Sequence, residues 1–268
     1  MRVVGRAVLW STPHGIVARR NTRQRRARKE QLAATNRSIT AQAANQRGAG
    51  TIGYDTLIAA GVAAGVDERH LRAGSIPEAD LEFILESITD GPGLHVGNFA
   101  GVSLAYLAAR TEDLIIAVDP NVPCRGLTHP QDVVVRLLAL VGASERILLV
   151  CGYSGRKNLS NQGRVMRGYD PMVEYENESA PENILDNLAA FGIRFAWALL
   201  DGNHRGDYLR SELTACASLI EPGGRVFLDD CTDSWPEIRD VFRSNSIDGW
   251  VPEATGGRVG VLRRATPP

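Results

Sequence analysis

The sequence has little that would tie it to a membrane, a secretory route or a thiolate metal site. Its four cysteines, Cys124, Cys151, Cys216 and Cys231, form no CxxC pair and no zinc spacing. In a chain of enzyme size that pattern reads as free thiols in a reducing, cytoplasmic compartment. No stretch reaches the ~18 consecutive apolar residues of a membrane span. The run VVGRAVLW near the start is short and broken by Arg6, so it makes a poor secretory core. The GxGxxG fingerprint is absent, which disfavours an oxidoreductase using a nicotinamide cofactor. Acids are nearly missing from residues 1–50, where eleven Lys/Arg face Glu30 alone. Residues 51–268 hold 19 bases and 30 acids, so a basic arm precedes an acidic body. On charge grounds the body is no nucleic-acid binder, and only the arm could contact one. The arm's Arg-rich character also resembles an organelle transit peptide, although its amphipathic periodicity is poor.

What is present is an ordinary core-forming composition, 44% apolar and 23% charged in 268 residues. Residues 1–50 have too few large apolar side chains for a core and read as an extended arm, with a helix over 27–45 forming on a partner. Residues 51–90 read as a helical lead-in. Within it, SIPEADLEFILESI places Leu81, Ile84, Leu85 and Ile88 on one face behind Ser75 as N-cap and Glu78. From 91 to 268 apolar strands alternate with helices. Strands are expected at 94–97, 114–119, 147–152, 195–201, 225–230 and 258–263, with a short one at 249–251. Helices are expected at 101–110, 130–141, 181–191, 206–219 and 236–244. The implied class is α/β, a Rossmann-like, doubly wound, mostly parallel sheet of seven strands. The polar segment 153–182 is longer than a connection needs and reads as a substrate lid.

In such sheets ligands sit at the carboxyl ends of the strands. The first strand runs into GNFAGVSLAYLA, where Gly97 and Gly101 bracket a turn that opens a helix. The second ends in Asp119, placed as a carboxylate would be to meet a ribose. Together they point to a nucleoside-containing cofactor. The stretches GLHVGNFAGVSLAYLA, IIAVDP, LLDGNH and LIEPGGRVFLDD then resemble the successive motifs of class I S-adenosylmethionine-dependent methyltransferases, in particular the family 24-type and caffeoyl-CoA-type O-methyltransferases. The likeness covers about residues 75–265. It departs from the catechol-type enzymes at His95, where they carry an acid. The resemblance implies that Gly97, Asn98, Gly101 and Ser103 line the methionine part of S-adenosylmethionine and that Asp119 takes the ribose. Cys151, Gly152 and Tyr153 or Ser154 would lie near the adenine.

Three carboxylates are expected at neighbouring strand ends: Asp201 from the fourth strand, Asp229 and Asp230 from the fifth. Held close, they would take up a proton or a cation. Oxygen ligands without Cys or His select Mg²⁺ or another divalent hard cation. Such an ion would lower the pKa of an acceptor hydroxyl. His204, three residues past Asp201 across a glycine turn, is suited to take the proton. In sugar-modifying members of the family an Asp-x-x-His pattern supplies metal ligand and base together. The polar lid, with few aromatics, suits a small-molecule or saccharide hydroxyl acceptor. The alternatives are an RNA methyltransferase using the arm, and a fold relative acting as a hydroxylase or a non-catalytic binding module. DGNH stands where base-methylating enzymes carry an Asn/Asp-Pro-Pro-aromatic motif, which counts against the first. The arm is also compatible with homo-oligomer contacts.

Overall fold

The computed structural model describes residues 52–157, 179–244 and 247–266. The arm, the helix expected over 27–45 and most of the 153–182 lid lie outside the described residues. Three short helices, α1 (Tyr54–Ala63), α2 (Glu68–Ala73) and α3 (Glu78–Ser87), lead into the sheet. The alternating part follows as β1 (Gly93–Val96), α4 (Val102–Ala108), β2 (Ile115–Asp119), α5 (Pro130–Leu140) and β3 (Ile147–Cys151). Then come α6 (Ile184–Ala190), β4 (Phe195–Leu200), α7 (Gly206–Leu219), β5 (Ile220–Leu228), α8 (Pro236–Arg243), β6 (Trp250–Gly256) and β7 (Val259–Arg264).

The strands form one seven-stranded sheet in the order β3-β2-β1-β4-β5-β7-β6. The first five strands are parallel, and β7 runs antiparallel to β5 and to β6. This is the mostly parallel α/β architecture that the alternating pattern implies. Near-continuous apolar runs bury β1, β2 and β4 on both faces, around Leu94, Ile116, Trp197 and Leu199. The amphipathic α7 lays Leu209, Leu213, Cys216 and Leu219 on the sheet.

Three local expectations are corrected. Ser75 is not an N-cap: α3 starts after Pro77 without a side-chain cap, and Ser75 is buried. The acids Glu78 and Asp80 in its first turn favour the helix start without a capping hydroxyl. The PGG at 222–224 lies inside β5, where the pairing with β4 shifts register after Phe195, so the strand begins five residues before the expected one. β6 spans seven residues instead of three. Its sequence VPEATG has no apolar run because the strand sits at an edge, where pairing with β7 defines it.

The strand ends that matter are held level by backbone bonds that continue one residue past each parallel strand. Gly97 N–H donates to Val118 O, Asp201 N–H to Val96 O, Asp229 N–H to Leu200 O and Gly152 N–H to Asp119 O, at 2.9 to 3.1 Å. Gly97, Asp119, Asp201 and Asp229 therefore share one carboxyl edge.

Candidate active site

The edge has two halves. The first is the loop from β1 to α4 and the end of β2. Gly97 has φ 87° and Gly101 φ 82°, a left-handed backbone that only glycine adopts without strain. A Cβ on Gly97 would run into the Asp201 carbonyl, so this glycine lets the ends of β1 and β4 touch. Asp119 is buried and accepts three backbone N–H bonds: Asn98 (2.7 Å) and Phe99 (3.2 Å) at Oδ2, and Asn121 (2.6 Å) at Oδ1. Burial raises its pKa against those three bonds. Its first task is thus to clamp the loop. Asn98 is buried, and its Oδ1 has no hydrogen-bond partner among the described residues. Beneath it, His95 is fully buried on β1, and burial pushes the imidazole down to about 4, against a contact with Asn98. It is a neutral core residue.

The remaining residues expected around the cofactor make contacts with the surrounding elements. Ser103 is buried on α4, where its Oγ accepts from Ile76 N–H at 3.0 Å and ties α4 to the lead-in. Gly152 packs on Ile184, and Tyr153 is buried. Tyr153 N–H bonds to Pro181 O and Ile184 N–H to Tyr153 O, joining the two stems of the polar segment. A network the sequence did not reveal holds that junction to α7. Tyr208 OH accepts from Gly155 N–H (3.0 Å) and lies 3.0 Å from Ser154 Oγ, which donates to Glu212 Oε1 (2.5 Å). Burial pushes the Glu212 carboxyl up to about 7, against the Ser154 bond.

The second half collects the charges. His204 Nε2 donates to Asp230 Oδ2 at 2.7 Å, and its ring stacks on Trp235 with centroids 4.2 Å apart. Asn203 turns the chain by accepting from Arg205 N–H (3.0 Å), and Glu237 caps the start of α7 by accepting from Gly206 N–H (2.8 Å). The DGNH turn is thereby fixed between α7 and α8. Asp230, the second residue past β5, takes a left-handed backbone, φ 55°, which swings its carboxylate toward the imidazole. Burial is the largest single influence and opposes ionisation of Asp230, but the bond and charge of His204 together with the Arg258 and Arg125 charges outweigh it, and its pKa falls.

Asp201 and Asp229 meet side chain to side chain. Burial first, and the Asp229 charge second, raise Asp201 well above the carboxylate range, so Asp201 holds the shared proton. Asp229 is in turn engaged by Arg258, a residue that sequence reasoning missed. Arg258 Nε donates to Oδ1 at 2.8 Å and Nη2 to Oδ2 at 2.7 Å, and the Asp229 side chain is only 1% exposed. Burial alone would lower the Arg258 pKa, yet the three aspartates raise it. The charge that three close carboxylates demand is supplied from the start of β7.

This arrangement does not fit the divalent cation expected at Asp201, Asp229 and Asp230. Both oxygens of Asp229 are committed to a guanidinium, Asp230 is committed to His204, and Asp201 is a hydrogen-bond donor. Among the described residues, no three His, Cys, Asp or Glu side chains form a group that could hold a metal ion. The carboxylates do converge as expected. Their partners differ because the turn before β7, 28 residues away in sequence from Asp230, delivers Arg258 between them.

No protein-family model matches the chain, and no curated protein matches it. Solved structures do. An O-methyltransferase from Bacillus cereus in complex with SAH superposes with TM-score 0.52 at 10% identity, covering 80% of this chain and 90% of that one. A candidate O-methyltransferase from Klebsiella pneumoniae superposes with TM-score 0.51 at 12% identity over the same shares. The fold is that of the class I methyltransferases. In that fold the first half of the edge suits S-adenosylmethionine on two observations. The unpartnered Asn98 Oδ1 is an acceptor fit for an ammonium group. Asp119 uses three of about four acceptor positions, so one remains that could accept from a hydroxyl. No described helix is long and apolar enough to cross a membrane.

Proposed function

We propose that the protein is an S-adenosylmethionine-dependent O-methyltransferase acting on a hydroxyl of a small molecule, with a sugar or glycosylated metabolite as the acceptor class. The observation that carries this reading is the His204–Asp230 pair, 2.7 Å apart, on the same edge as the Gly97–Asp119 loop. When bound, the cofactor supplies a methyl group on a cationic sulfur, to which the C–S electron pair returns on transfer. Such a group is already activated, so the protein must position an oxygen and remove its proton.

His204 does the second task. Asp230 holds the Nε2–H and thereby leaves Nδ1 as the basic nitrogen. Trp235 fixes the ring plane. Nδ1 would take the proton of the acceptor hydroxyl, and the Asp230 carboxylate would stabilise the imidazolium. Asn98 and Asp119 position the cofactor. Asp201 acts through Asp229 and is a positioning residue, not a base, because it carries the proton of the pair. Assistance by a divalent cation drops out of the reading, since the carboxylates expected to hold one are engaged by Arg258 and His204.

The test is a calorimetric titration of S-adenosylmethionine and SAH into EDTA-treated protein, repeated with Mg²⁺. Saturable binding in both conditions supports the proposal. Absence of binding in both refutes it.

A further inference from the structure

We propose that Arg258 is a resident cation of the acceptor half of the site, standing in for a divalent ion among Asp201, Asp229 and Asp230. The inference rests on the methyltransferase reading for its catalytic meaning, but its physical content is independent of that reading.

Three elements build the guanidinium into place. The turn before β7 is pressed against α3: a Cβ on Gly257 would collide with Asp80 Oδ1, and Asp80 Oδ2 lies 3.3 Å from Arg258 N. The Arg258 carbonyl accepts from Cys231 N–H at 2.7 Å, which ties the turn to the end of β5. Nη2 reaches Ser75 O at 3.4 Å, on the lead-in. With the backbone fixed on both sides, the side chain has one place to go. It meets Asp229 in the two-pronged geometry that matches a guanidinium to a carboxylate.

Charge and geometry both oppose a metal there. Mg²⁺ requires near-octahedral oxygens at ~2.1 Å, and Ca²⁺ six to eight at ~2.4 Å. Either ion would have to displace two bonds of 2.7 to 2.8 Å and sit beside an uncompensated guanidinium. The third nitrogen, Nη1, lies 3.6 Å from Asp230 Oδ1 and makes no hydrogen bond among the described residues. It is the donor left over for a ligand. A divalent ion would chelate two neighbouring hydroxyls of an acceptor. A guanidinium N–H instead directs one hydrogen bond to a single acceptor oxygen. The site therefore selects an acceptor whose reacting hydroxyl reaches His204 while one other oxygen, a carbonyl, carboxylate or ether, reaches Nη1.

The experiment is a Mn²⁺ titration of EDTA-treated full-length protein, read by the free-ion electron paramagnetic resonance signal, with SAH calorimetry on the same sample. The wild type should show no site tighter than ~1 mM, the weak end of protein Ca²⁺ sites. Arg258→Gln, which removes the charge but keeps a polar side chain, should gain a site at least tenfold tighter, and Arg258→Lys should gain none. Wild-type binding of Mn²⁺ below ~0.1 mM that disappears in Asp229→Asn overturns the proposal. So does a folded Arg258→Gln protein with no gain. If Arg258→Gln does not fold, the wild-type and Arg258→Lys titrations decide alone. SAH calorimetry separates the two claims: a protein that binds neither Mn²⁺ nor SAH keeps its resident cation and loses the methyltransferase reading.

Discussion

The two halves of the carboxyl edge solve the same problem in different currencies. Around Gly97, Asn98 and Asp119 the chain is held by backbone: one carboxylate gathers three N–H groups from residues within 21 positions of it. Around Asp229, Asp230, His204 and Arg258 it is held by paired charges from three separate segments. The first half is local and keeps an acceptor in reserve at Asn98. The second is non-local, and each of its charges depends on a partner. A backbone clamp tolerates loss of one bond better than a buried ion pair tolerates loss of one ion, because the orphaned charge has no water to turn to. The cofactor half should thus yield gradually under mutation and the acceptor half abruptly.

The sharpest break is Arg258→Ala. It strands the Asp229 carboxylate and should cost about 3–5 kcal/mol, read by denaturant unfolding. A loss below ~1 kcal/mol would show that the pair is solvated and erase the contrast. His204→Ala comes next. Methyl transfer should fall ~10²–10⁴-fold, the usual contribution of a general base, while SAH affinity stays unchanged. Equal loss of both would mean that His204 shapes the cofactor half instead.

Glu212 tests the junction between the polar segment and α7 through pH. Its folded value of about 7 stands above the ordinary value of 4.5. The folded state therefore binds the extra proton between those values. The stability it contributes is fully present below pH 4.5 and is lost as pH rises through about 7. Glu212→Gln keeps an acceptor for Ser154 and removes the titration. It should match the wild type near pH 4.5 and exceed it by up to about 3 kcal/mol at pH 8, measured by denaturant midpoints. A parallel pH dependence in both proteins would move the titration elsewhere. The smallest effect is expected from Asp119→Asn, at about 1.5–3 kcal/mol of stability with weakened SAH binding. A larger loss than at Arg258 would invert the comparison.

Much of the first half is legible in the sequence because its partners are near neighbours. Gly97 and Gly101 announce a turn into a helix, and Asp119 ends an apolar strand. What local spacing does not disclose is that Asp119 faces the loop backbone, or that Ser103 turns toward Ile76. Glu212 carried a signal: it interrupts the stripe Tyr208, Leu209, Leu213, Cys216 at helical spacing, so a buried acid was there to be read. Trp235 and Arg258 carried none, since each is a single residue at the border of a short element.

By itself the sequence determined the alternation of apolar strands with helices, and hence a mostly parallel sheet with its acids at the carboxyl edge. Burial of apolar runs on both faces leaves few other solutions. Only the tertiary structure decided what those acids do. Convergence of Asp201, Asp229 and Asp230 is fixed by strand order, but their protons and counter-charges depend on which cation arrives. Here the returning antiparallel strand brings Arg258 to Asp229, and the kink at Asp230 brings its carboxylate to His204. An ion pair acts over a few ångströms in space, and no spacing along the chain encodes that distance.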